Sequence, residues 1–194
     1  PGLRPEESTN YEIGYQGTPW FGAKASAAVF YNDISDKIQT VYQPGKSTCT
    51  TTAKCQTTNV GKVHITGLEV GLTTPVNRWL EVGGNYTYLD LENVSNPGTK
   101  LTDIPREKLV LHATVHPTAL VQVIAFLESD SGRWASNTVK LGGFTTLNLK
   151  ASYAPRPDLT LEAGINNLSD QNYSLADGYP SPGRTWFANA NYRF

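Results

Sequence analysis

The chain has 194 residues, a formal net charge of −1 and a mean hydropathy of −0.36. Near-balanced charge leaves no basic footprint for nucleic acid, and no uncharged apolar run reaches the roughly 18 residues that a membrane helix needs. A transmembrane β-barrel stays open, because its strands need only one apolar face and give a weak hydropathy signal. The 17 glycines and 10 tyrosines fit an aromatic-girdled barrel better than a helical domain.

Period-two alternation predicts nine strands. The first, about 8–17, sets Tyr11, Ile13 and Tyr15 on one face; the second, about 22–34, groups Ala25, Ala27, Val29 and Tyr31. A polar segment of about 35–60 follows, with Cys49 and Cys55 in a Ser/Thr-rich stretch. The pair reads as a short disulfide; its rival, a soft-metal pair, finds no further Cys or His nearby to complete a set. In the third strand, about 61–74, Val63 and Ile65 share one parity while Leu68, Val70 and Leu72 take the other, so a β-bulge is expected at Gly67.

The fourth strand, about 79–92, lines Leu80, Val82, Gly84, Tyr86 and Tyr88 on its apolar face, with a kink expected at Gly83-Gly84. The fifth, about 106–116, turns Leu109, Leu111, Ala113 and Val115 outward; the sixth, about 119–129, has no clear facing. The seventh, about 143–154, and the eighth, about 159–168, again alternate. The last strand puts Trp186, Ala188, Ala190, Tyr192 and Phe194 on one side, against Phe187, Asn189, Asn191 and Arg193. At about 3.3 Å per residue and a tilt near 40°, its final eight steps rise roughly 20 Å, close to the ~25 Å apolar band of outer-membrane barrels.

The connections alternate in length. Short ones fall near 17–21, 75–78, 116–118 and 154–158; long ones near 35–60, 93–105, 129–142 and 169–183. Up-and-down outer-membrane barrels have short periplasmic turns and longer extracellular loops, and a soluble meander has no reason to keep that asymmetry in register.

Several strings resemble landmarks of TonB-dependent outer-membrane receptors. They are Gly183-Arg184 through Ala188-Asn189-Ala190 to Tyr192 and Phe194; Asn167-Leu168-Ser169-Asp170 with Tyr173, where Ser169 stands in place of the usual phenylalanine; Leu3-Arg4-Pro5-Glu6 followed by Tyr11-Glu12-Ile13-Gly14-Tyr15; Val29 to Ile34; and Gly67-Leu68-Glu69. The resemblance implies an all-β, antiparallel, up-and-down transmembrane barrel segment. Residues 1–194 would supply about nine strands of a barrel of about 22, with the plug domain outside this chain. With no methionine and a proline at position 1, the sequence itself reads as a piece of a longer chain.

The resemblance further implies an outer-membrane receptor, monomeric as a barrel and energised by TonB, that imports a ferric siderophore or similar chelate. The terminal aromatics Tyr192 and Phe194 would be read by the barrel-assembly machinery. Ligand contacts are expected in the long loops, with Tyr42, Arg106, Arg133, Trp134, Tyr179 and Arg184 as candidates, since aromatic and cationic groups suit an anionic chelate; Arg184, inside the terminal motif, also has a structural reading. No catalytic residue, metal site or cofactor is expected: His64, His112 and His116 lack ligand spacing, and Lys108, Glu69, Glu81 and Glu162 read as wet lumen residues. Two rivals remain, a small non-transporting outer-membrane barrel and a secreted β-sandwich.

Overall fold

The computed structural model describes residues 2–20 and 22–194. Among them are fifteen strands: β1 (Glu7–Gly17), β2 (Lys24–Ser35), β3 (Ile38–Tyr42), β4 (Cys55–Asn59), β5 (Val63–Asn77), β6 (Leu80–Asn93), β7 (Glu107–Thr118), β8 (Val121–Asp130), β9 (Arg133–Trp134), β10 (Lys140–Leu141), β11 (Phe144–Arg156), β12 (Leu159–Asn166), β13 (Ser174–Ala176), β14 (Tyr179–Pro180) and β15 (Thr185–Tyr192). Nine form one antiparallel sheet in chain order, β1-β2-β5-β6-β7-β8-β11-β12-β15, so β1 and β15 are its two edges. The six short strands make three separate hairpins in the long connections.

Cross-strand partners place their side chains on the same face, so the register determines what each face carries. One row runs Ala25, Leu72, Gly84, Leu111, Leu127, Leu147, and a neighbouring row runs Val82, Ala113, Ala125, Leu149, Ile165, Trp186. These rows build one apolar face across eight strands, and Ile13 of β1 joins it in register with Val29 and Leu68. Its residues are exposed in the protein alone, including Ile13, Val70, Leu111 and Trp186, because lipid covers them. The sixth predicted strand now has its facing. Val121, Val123, Ala125 and Leu127 join the apolar rows, while Gln122 and Glu128 face inward beside Ile124 and Phe126. Both faces of that strand carry apolar residues, which is why its alternation was mute.

The opposite face is polar and internally paired. Lys150 reaches Glu162 at 3.0 Å and Lys108 reaches Glu128 at 2.6 Å. Large inward rings lie over glycines on the neighbouring strand: Phe30 over Gly67, His112 over Gly83 and Phe187 over Gly164. A Cβ at Gly67 would overlap the Phe30 ring, so that glycine is needed for close approach.

One sequence expectation is corrected here. No bulge occurs at Gly67, since β5 keeps unbroken register with β2 and β6 from Val63 to Thr73. The apolar parity changes because the surroundings change. Above Gly67 the outer face turns polar, with Thr66, His64, Asp33, Asp90 and Glu92, while inward Val63 and Ile65 pack with Ile34, Leu91 and the loop residue Leu101. That cluster contains Val63, the largest fully buried side chain among the described residues. Gly83-Gly84 likewise produces no slip in register. The slips within the nine-stranded sheet lie at the short turns instead, between Pro75 and Asn77, Val115 and Thr118, and Tyr153 and Arg156. Asn77 closes one of these turns by accepting the backbone N–H groups of Trp79 and Leu80, both at 2.9 Å.

Candidate functional site

All four long connections stand at the same end of the sheet and are stitched to one another. The Gln39 side chain donates to Lys100 O at 2.9 Å and accepts from Thr102 N. Lys100 N donates to Asn137 Oδ1 at 2.8 Å, and Asp103 N to Trp134 O at 2.8 Å. The 35–62 connection reaches further, with Gly45 N donating to Thr138 Oγ1 and Ser47 donating to the Asp177 carboxylate. Cys49 and Cys55 are disulfide-bonded with Cα atoms 5.4 Å apart, and Cys55 pairs with Tyr42 across the β3–β4 hairpin.

The root of that hairpin is clamped by the amino-terminal motif. Arg4 pairs with Asp36 at 2.5 Å, and the Asn59 side chain bonds both backbone groups of Arg4. Glu6 accepts from Ile38 N at 2.9 Å and from the Lys37 ammonium at 3.2 Å. The Ile38 N–H is the main reason the Glu6 carboxyl is held below its ordinary pKa; Lys37 acts in the same direction and burial against it.

Between the connections lies a cavity of about 340 Å³ whose lining includes Leu91, Lys100, Arg106, Trp134 and Lys140. The Lys100 and Lys140 ammoniums stand 5.6 and 5.7 Å from the centroid of the Trp134 ring. Neither lysine has a carboxylate within ion-pair distance among the described residues. Both lysines line the cavity, so an anion held there would be drawn to two ammoniums that lack a carboxylate partner. Arg106 is only loosely engaged, 3.8 Å from Asp90.

The six residues singled out from sequence therefore do not form one site. Arg106 and Trp134 meet in the cavity. Tyr42 lines a smaller neighbouring cavity of about 260 Å³ with Leu101 and Asp103. Arg133 is spent on buried Asp130 at 2.5 Å. Tyr179 is 72% exposed on β14, away from both cavities.

Arg184 closes a clasp. Its backbone N–H donates to Asp170 Oδ1 at 2.7 Å, and its guanidinium lies near Asp170 and Leu168 O. Buried Asn167, at φ 51°, ties the same loop to Gln171, Pro182 and Asn148. The motif around Asn167 and the Gly183-Arg184 motif thus hold each other. Lys100 and Lys140 escaped the sequence reading because neither has a local signature. Only their place in long connections marks them.

The profile of the family described as TonB dependent receptor-like, beta-barrel matches residues 1–168. The chain belongs to that TonB-dependent receptor family. It is 27% identical to the iron-regulated outer membrane virulence protein of Vibrio cholerae serotype O1 over all of this chain and 32% of the relative. It is 25% identical to the ferrienterobactin receptor of Escherichia coli K12 over 99% of this chain and 30% of the relative. The chain therefore spans about a third of the length of these relatives, whose names are those of receptors and outer-membrane proteins rather than enzymes. The solved structure of the copper transporter OprC superposes with a TM-score of 0.83 at 22% identity, covering 99% of this chain and 33% of that one, which shows the shared fold. The chain is an outer-membrane receptor barrel segment, and its apolar face is the lipid-facing wall.

Proposed function

We propose that the complete protein is a transport receptor that imports an anionic ferric chelate, a ferric siderophore, with energy delivered through TonB to a plug domain outside this chain. The observation that carries this reading is the pair of unpaired ammoniums around Trp134 in a cavity at the loop end of the wall. Flat aromatic surface beside concentrated positive charge suits a catecholate chelate, which is both aromatic and anionic. The names of the iron-regulated and ferrienterobactin relatives point the same way.

Residues 1–194 are then the carboxyl-terminal part of a monomeric barrel of about 22 strands. The open edges at β1 and β15 support a larger barrel over a small closed one, since unpaired edges in lipid are costly. Tyr192 and Phe194 serve as the signal for the barrel-assembly machinery.

The test is uptake of radio-iron as a ferric catecholate siderophore by iron-starved cells. Uptake is expected to vanish on deletion of the gene and on loss of TonB. Unchanged uptake by the deletion strain, with chelates of every class, would overturn the reading.

A further inference from the structure

A further cavity lies away from the loops. It is a groove of about 590 Å³ in the lipid-facing wall, floored by Gly84, Ala113 and Ala125 and walled by Leu72, Leu111 and Leu127. It is roughly four times the ~150 Å³ engineered cavity that holds a benzene. Its floor is low because Gly84 falls in a row of leucines: in register, Leu72, Gly84, Leu111 and Leu127 follow one another across β5, β6, β7 and β8. A side chain at Gly84 has no room, because its Cβ would stand 2.7 Å from Val110 O.

The two ends of the groove differ in charge. The lower end is lined by Thr74 and Val82, which pair with each other. Just below them the Asn77–Leu80 pair closes the periplasmic turn that carries exposed Arg78 and Trp79. Arg78 has no ion pair among the described residues. The upper end is lined by Tyr86, whose hydroxyl donates to the Glu107 carboxylate at 3.1 Å, with Asp90 further out on the same face.

We propose that this groove is a binding site for one acyl chain of a phospholipid of the periplasmic leaflet, with its headgroup phosphate on Arg78. The groove is continuous with the apolar face that lipid already covers, and its lining offers an occupant apolar contact almost throughout. A phosphate is matched by the Arg78 guanidinium, carried on the exposed turn below the groove. At the upper rim the Glu107 carboxylate opposes it, while Asp90 further out is offset by Arg106 at 3.8 Å, so the rim offers an anionic lipid of the outer leaflet no net cationic partner. A chain lying in the groove fills a depression that bulk lipid meets only transiently, so this lipid exchanges slowly.

The test uses the full-length gene product in detergent, stripped of lipid and titrated with palmitoyl-oleoyl-phosphatidylglycerol under native mass spectrometry. A single retained adduct is expected. Ala125→Leu, which fills the floor, and Arg78→Ala, which removes the phosphate contact, should each cut its occupancy about tenfold. Ala163→Leu, on the same face but outside the groove, should leave it unchanged. Ala125→Leu avoids the crowded Gly84 position, and heat-modifiable mobility of each variant shows that it has folded. Three results would overturn the proposal: no adduct, an adduct lost equally in Ala163→Leu, or preferential retention of lipopolysaccharide. A dimer mass that disappears in Ala125→Leu would instead make the groove a contact between copies and would overturn it too.

Discussion

In the membrane band, register sets every neighbour: Leu72, Gly84, Leu111, Leu127 and Leu147 follow one another across five strands. Above it, contacts skip far along the chain, as Gln39 meets Lys100, Gly45 meets Thr138 and Ser47 meets Asp177. The band is uniform on each face, so a change there acts through its environment. The loops are individual, so a change there acts through the one partner it loses. Gly67 marks the crossing point, beyond which the same strand stops facing lipid outside and starts a small protein core inside with Ile65 and Val63.

The largest expected effect comes from breaking the band. Leu111→Arg puts a charge in mid-wall and should cost about 2–4 kcal/mol. Thr114→Arg, on the inner face of the same strand, should cost far less. Denaturant unfolding of the complete protein in lipid vesicles checks both, and equal costs would mean that the faces are misassigned.

In the loops, breaking the Cys49–Cys55 disulfide with Cys49→Ser should release about 2–2.5 kcal/mol of constraint on the unfolded loop. Hydrogen exchange should quicken in β3 and β4 and stay unchanged in β5 and β6. A smaller effect follows from Asn167→Ala, which strands polar groups of Gln171, Pro182 and Asn148. About 1–2 kcal/mol is expected, read as faster exchange through residues 167–184.

The smallest effect is electrostatic. The folded pKa of Glu6 is depressed, so its contribution is present above the ordinary carboxylate pKa and is lost as pH falls through the lowered value. With solvent screening it amounts to less than about 1 kcal/mol. Loosening of the β3–β4 hairpin in acid should disappear in Glu6→Gln.

The same contrast governs what could be read from sequence. Strand number, facing and the short–long alternation of connections are local properties, and period two exposes them. Where both faces are apolar, as in Val121 to Leu127, the pattern loses its phase. At Gly67 the change of parity was visible, but its cause, an inward core completed by Leu101, depends on a loop folding back over the sheet. In the site, Arg106 and Trp134 stood out by residue type. The pairing of Arg133 with Asp130 lies three residues apart and was within reach; that of Arg184 with Asp170 spans fourteen and needed the fold. Lys100 and Lys140 come from different connections, and only the assembled loops bring them to one ring.

The most direct measurement is equilibrium binding of a ferric catecholate siderophore to the purified full-length protein, comparing wild type with the double variant Lys100→Ala and Lys140→Ala across a range of salt concentrations. The account predicts an affinity at least about tenfold weaker, and a salt dependence that flattens once the two ammoniums are gone. Unchanged affinity and unchanged salt dependence in a folded double variant would contradict it and place the chelate elsewhere in the receptor.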